Sequence, residues 1–208
     1  MQMVIGTRKW SSWSMRPWLA ARRAGLQVED IVVALRTPET SAALKPYSPG
    51  GQCPVLIDGA VKVWDSLAIC EYLAEKVPNL WPAQPERRAH GRSACAQMHS
   101  GFRSLRGECP MDLAAPVQRL ELTEATAADV RQVVDLWREL LLMSSGPFLL
   151  GGWSIADAYF TPVATRFRTY GVDLADYGDP DGLAAGYNAL LLQQPEFLDW
   201  ERLAEAEG

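Results

Sequence analysis

The stretch QCPVLIDGAVKVWDSLAICEYL, Gln52 to Leu73, carries three local signals in succession. Pro54 heads an apolar run, and a proline, having no N–H to give a ladder, belongs at the start of a strand. Asp58-Gly59 then falls between two β-rich runs, the strongest short-range hairpin signal in a sequence. From Asp65 to Val77, Leu67, Cys70, Leu73 and Val77 lie on one helical stripe. Hairpin followed by helix is therefore expected.

Toward the N-terminus, Met3 to Gly6 is a short β-branched run, and Ser14 to Ala24 has a helical pattern. Pro17 is tolerated in its first turn and Gly25 suits its C-terminal cap. Ile31 to Leu35 is continuously apolar, as expected of a strand covered on both faces. Thr40 to Lys45 reads as a short helical turn. The order βαβαββα, with two parallel strands joined by a crossover helix and then a hairpin, is a thioredoxin-like plan. Toward the C-terminus, PNLWPAQPE (Pro78 to Glu86) reads as a linker because of its prolines. Beyond it the β-branched runs disappear. Helices are expected over Arg87–Arg106, Thr126–Met143, from Ser154 onward, Leu183–Leu192 and Pro195–Ala206. The expected organisation is a thioredoxin-like domain over residues 1–78, a linker over 79–86 and an all-helical domain over 87–208.

The 208 residues include 25 acidic and 20 basic side chains, which argues against a broad cationic surface for nucleic acid. No apolar run approaches the ~20 residues of a membrane span, and the start is unlike a signal peptide, so a cytoplasmic protein without a membrane partner is expected. Cys53, Cys70, Cys95 and Cys109 form no C-x-x-C pair and have no histidine pattern beside them, so no metal is expected and the thiols read as reduced and mostly core. GRSAC at Gly91 lacks the last glycine of a hydrolase elbow, and no phosphate-binding glycine motif occurs.

Taken together, SSWSMR, GGQCPVL, WDSLAICEYL and GGWSIADAYF resemble the cytosolic glutathione transferases over nearly the whole chain. SSWSMR looks most like the zeta and theta types, in which a serine follows the first strand. The zeta signature has cysteine third in this motif, where Trp13 stands here, a departure that counts against the zeta class's own isomerase reaction. The resemblance implies glutathione as co-substrate, a small electrophile, a homodimer, and Ser11 as the hydroxyl that faces the glutathione sulfur.

Physical chemistry gives these residues work. A thiol with a pKa of ~8.5 is only a few per cent thiolate at neutral pH, so a transferase supplies hydrogen bonds and positive potential to the sulfur. Ser11, Ser12, Ser14 and the N–H groups around Trp13 and Arg16, at a helix N-terminus, suit that task. The structural alternative is that one serine, Ser14 or Ser12, caps the helix. The resemblance implies that Cys53, ahead of Pro54, pairs its main chain with the cysteinyl part of glutathione, with Gln52 near the carboxylate end. Asp65 and Ser66 match the ammonium and carboxylate of the γ-glutamyl end, although as a bare dipeptide they would be an N-cap. His99, Arg103 and Arg106, spaced four and three apart, would share one helical face as a cationic wall for an anionic co-substrate, or else face water. Trp13, Met111 and Trp153 are candidates for an apolar wall. Ser154 and Asp157 read as a capping box with a structural role. Three functional readings remain: a conjugating transferase, a zeta-like isomerase, and a non-catalytic binding protein of the same fold.

Overall fold

Met3, Val4 and Ile5 are fully buried in strand β1 (Gln2–Gly6), an inner strand of a sheet ordered β2-β1-β3-β4 in the computed structural model, which describes residues 1–207. Strand β2 (Glu29–Val33) is parallel to β1; β3 (Val55–Asp58) is antiparallel to β1, and β4 (Val61–Val63) to β3. Helix α1 (Ser12–Arg23) is the crossover that a parallel pair requires. Alternate residues of β1 serve different faces. Met3 and Ile5 join Met15, Trp18, Ile69 and Leu73 in the main core, whereas Val4 packs with Val33, Val55 and Leu44 of helix α2 (Thr40–Leu44).

The hairpin turns at Asp58-Gly59, where Gly59 has φ +61. Asp58 also accepts from Tyr72 Oη and Lys76 Nζ, both at 2.8 Å, fastening the hairpin to helix α3 (Ser66–Lys76). Strand β2 departs from expectation. It begins at Glu29, ends at Val33 and lies at the sheet edge with Val32 42% exposed, so only part of it is covered. Leu35 has left the ladder because its N–H is taken by Thr7 Oγ1 at 2.9 Å.

Beyond β4 every named element is helical: α4 (Pro85–Ser100), α5 (Arg103–Glu108), α6 (Glu124–Met143), α7 (Ile155–Thr169), α8 (Leu183–Leu191) and α9 (Pro195–Ala206), with 3₁₀ turns at Pro78–Leu80 and Leu174–Tyr177. The result is a thioredoxin-like α/β unit followed by an all-helical one. Around Trp137, the rings of Phe160, Phe167 and Tyr187 pack edge-on at centroid distances of 4.9 to 5.7 Å. The single helix expected over Arg87–Arg106 is broken. Phe102, at φ +53, turns the chain so that its own ring and Leu105 are buried, and α5 sets off separately from α4.

Helix α7 begins with the expected capping box. Ser154 Oγ accepts from Ala156 N at 3.3 Å, and Asp157 Oδ2 accepts from Ser154 N at 2.7 Å. Asp157 also accepts from Leu149 N at 3.3 Å and Tyr187 Oη at 2.8 Å. Burial nonetheless pushes its carboxyl up to about 6. Since the unfolded value is ~3.9, the stability from this group is complete below about pH 4 and is lost as pH rises through about 6. Chemical denaturation between pH 4 and 6 should show that slope in the native protein and lose it in Asp157→Asn. Ser154→Ala should cost ~1 kcal/mol in the same measurement.

Candidate active site

A cleft of about 490 Å³ opens where the two units meet. It is lined by Trp13 of α1, Thr40 and Leu44 of α2, Gln52, Cys53 and Pro54 ahead of β3, Asp65 and Ser66 at the start of α3, and His99 of α4. The Cys53–Pro54 bond is cis, and the sheet ladder begins only at Val55. The main chain of Cys53 therefore lies at the cleft, ahead of the strand.

The serines take positions that their spacing did not reveal. After β1, Thr7 O accepts the N–H groups of Trp10 and Ser11 at 3.1 and 3.0 Å, and Ser11 becomes the N-cap residue of α1. Its side chain makes no cap bond; Ser11 Oγ donates to Ser14 Oγ at 2.7 Å. Ser14 Oγ also accepts Gly6 N–H at 3.2 Å, and Ser12 Oγ accepts from Arg166 Nη2 at 3.3 Å. The expectation that Ser12 or Ser14 caps the helix is thus corrected. This first turn is enclosed by β1 and α7, and the hydroxyls find their partners there. Ser11 and Ser14 lie beside the Cys53 thiol: burial pushes that thiol up, while the two hydroxyls oppose the shift.

Asp65 does two things. Its Oδ1 caps α3, accepting from Leu67 N at 2.9 Å and Ala68 N at 3.4 Å, and its Oδ2 lies 3.2 Å from His99 Nε2. Ser66 Oγ is shared with Tyr159 Oη at 3.2 Å, leaving its backbone as the group toward the cleft.

Beneath Trp13 lies a group of arginines. Arg16 is fully buried, with its guanidinium 4.3 Å from the Trp13 ring and 4.7 Å from the Tyr159 ring, and none of its three nitrogens has a hydrogen-bond partner. Arg106 lies 5.4 Å from the same indole and donates to His99 O at 3.2 Å. Arg166, buried in α7, donates to Pro162 O and Ser12 Oγ, and its Nε is unpartnered. Burial, then the positive fields of Arg16 and Arg106, push Arg166 down to about 9. The expected wall is accordingly rearranged. His99 and Arg106 meet at Trp13, but across the break at Phe102 rather than on one helix face, and Arg103 is exposed. Met111 is buried in the core and Trp153 packs under Arg23 at 4.8 Å, so neither lines the cleft. Arg166 and Tyr159 were missed by sequence reasoning, because within an otherwise apolar helix nothing distinguishes them from packing residues.

A model of the glutathione S-transferase N-terminal domain matches residues 10–76. The probable maleylacetoacetate isomerase of Caenorhabditis elegans is 28% identical over 170 residues, covering 80% of this chain and 78% of that protein. A bacterial zeta-class maleyl pyruvate isomerase structure superposes with a TM-score of 0.75 at 24% identity over 98% of both chains. A Burkholderia glutathione transferase homolog with bound glutathione superposes at 0.72, with 23% identity, over 99% of this chain and 98% of that one. Residues 10–76 thus match the glutathione S-transferase N-terminal domain, and the chain is similar to zeta- and theta-type glutathione transferases. Among the described residues no helix is long and apolar enough to cross a membrane.

Cys70, Cys95 and Cys109 are fully buried, whereas Cys53 is half-buried at the cleft. An aromatic disulfide reagent should therefore titrate one thiol quickly in the native protein, faster as pH rises toward the raised pKa of Cys53, and Cys53→Ala should abolish that phase.

Proposed function

We propose that the chain is a glutathione-dependent transferase in which Ser11 holds the glutathione sulfur as a thiolate for attack on a small electrophile. Residues 1–78 form the glutathione domain, 79–86 the linker and 87–208 the helical part that completes the electrophile site. The observation that carries this reading is the cleft itself: Cys53–Pro54, Asp65–Ser66 and the first turn of α1 converge on it. The tripeptide's cysteinyl portion pairs with the main chain of Cys53 like an added strand, and Gln52 lies toward its glycyl end. Asp65 and the start of α3 receive the ammonium and carboxylate of the γ-glutamyl end. When thiolate forms, Ser11 turns its proton from Ser14 to the sulfur, a donor already in place where the charge develops. The N-terminus of α1 and the uncompensated guanidiniums of Arg16 and Arg106 add positive potential. Metal plays no part in this scheme.

A specific observation narrows the electrophile. Arg16, Arg106 and Arg166 stand together without an ion-pair partner, and four of their buried nitrogens have no hydrogen-bond partner. A carboxylate on the electrophile would answer that imbalance, as would the acidic substrates of an isomerase. The thiolate then either displaces a leaving group or adds to an activated double bond, permits rotation and leaves again. By family resemblance the protein acts as a cytoplasmic homodimer, for which light scattering should give twice the 23.0 kDa of the chain.

Calorimetry should detect glutathione binding at millimolar ligand. Ser11→Ala should keep that binding within about threefold and lower turnover by roughly 10²-fold. Binding without turnover across conjugation and isomerisation substrates would instead identify a binding protein. Arg106→Ala should raise KM about tenfold for a carboxylate-bearing electrophile, worth ~1.4 kcal/mol, and leave a neutral one unchanged.

A further inference from the structure

Ser11 is a helix N-cap without a side-chain cap bond, at φ −88 and ψ 74; within α1 its Oγ donates to Ser14 Oγ and its carbonyl accepts from Met15 N, while its N–H side depends on the preceding loop. The preceding loop is instead gripped from a distant part of the chain. Arg8 N donates to Glu207 Oε2 at 2.8 Å, and Arg8 O accepts from Trp200 Nε1 at 3.2 Å, so helix α9 and the residue after it take both main-chain groups of Arg8. The guanidinium of Arg8 bonds to Glu207 and Asp30 and lies 5.6 Å from the Trp200 ring. Asp30 Oδ2 also accepts from Trp18 Nε1 at 2.9 Å, and Trp18 meets Trp200 edge-on at 5.2 Å. Arg8 is 6% exposed, so this clasp is internal to the fold.

The clasp acts on the serine through a short path. Thr7 is tied to β2 through Val33 O at 3.1 Å, and Ser11 N returns to Thr7 O at 3.0 Å. Between them, Trp10 is held by its indole on Asp112 and its N–H on Thr7 O, and Lys9 O accepts Leu113 N–H, while Arg8 is the residue through which α9 holds the loop, by main chain and side chain. Releasing Arg8 loosens the loop beside Thr7, whose carbonyl receives the Ser11 N–H.

We propose that Glu207 and Trp200 are positioning residues, which fix the main chain of Arg8 and thereby aim the Ser11 hydroxyl at the glutathione sulfur. This rests on the proposed role of Ser11. Because the tripeptide is gripped by residues 52–54 and 65–66, loosening the loop affects turnover rather than glutathione affinity. A displacement near 1 Å at a reacting group costs up to about 10²-fold in rate.

The test is a double-mutant cycle with an exchange measurement. Glu207→Ala should lower kcat about tenfold, leave glutathione affinity within about twofold, and speed amide hydrogen exchange at residues 10–12. Glu207→Gln, which keeps an acceptor for the Arg8 N–H, should recover most of the rate. In a Ser11→Ala background Glu207→Ala should cost almost nothing further, since both changes remove one interaction. Glu196→Ala breaks a different α9 contact, its 2.9 Å ion pair with Arg23, and should lower Tm without altering kcat or that exchange. Unchanged exchange at residues 10–12, or a full additional loss in the Ser11→Ala background, overturns the proposal. Full turnover by Ser11→Ala alone would remove the serine's assigned role and with it the aiming of that hydroxyl, while the exchange data still decide whether α9 holds the loop.

Discussion

A guanidinium taken wholly out of water needs compensation, and at Arg16 that compensation comes from aromatic faces instead of a carboxylate. The Trp13 and Tyr159 rings flank it at 4.3 and 4.7 Å. Ring quadrupoles attract a cation without neutralising it, so the charge remains felt in the low-dielectric surroundings. Burial accordingly draws the Arg16 pKa down. An Asp or Glu in either ring's place would pair with the guanidinium and cancel the field. The positive potential that a thiolate needs therefore depends on which neighbours Arg16 lacks.

The same residues join the two halves of the molecule. Trp13 lies against Arg16 and Arg106 and meets the His99 ring edge-on at 5.0 Å; His99 pairs with Asp65; Asp65 caps α3. Tyr159 of α7 reaches Ser66 at the same helix end. The α1, α3 and α4 sides of the cleft are thus tied to one another, and their spacing is set by packing between units. On the proposed function, glutathione and electrophile are brought together by this junction, so much of the rate would come from held orientation.

Much of the fold was legible because its signals are local. Asp58-Gly59 marks a turn, Pro54 a strand start and Ser154 with Asp157 a helix start, and each needs only its immediate neighbours to be read. Failures came where tertiary packing overrode a local pattern. The spacing of His99, Arg103 and Arg106 is helical, yet burying the Phe102 ring required a left-handed residue between them. Ser12 and Ser14 look like caps, yet the nearness of α7 and β1 gives their hydroxyls other partners. Cys53, Asp65, Ser66 and His99 could be gathered into one site because a family pattern placed them. Arg166 could not, since its chemistry exists only where α7 crosses α1.

Trp13 is the departure from the zeta pattern, whereas several of the sequence and structural relatives are isomerases. The geometry reconciles the two. Trp13 lies between cations and against His99, and its indole carries no nucleophile, so it serves as a wall and an electrostatic spacer. Addition of a thiolate to a double bond and its later departure require the sulfur, a site for the developing negative charge, and room to rotate. On the proposed function the first would come from glutathione and the second from the arginines, and neither from residue 13. A tryptophan there changes the space in which an adduct can turn. On that proposal it leaves the chemical groups for isomerisation in place, and the choice between conjugation and isomerisation would fall to the size and charge of the electrophile that fits beside the indole.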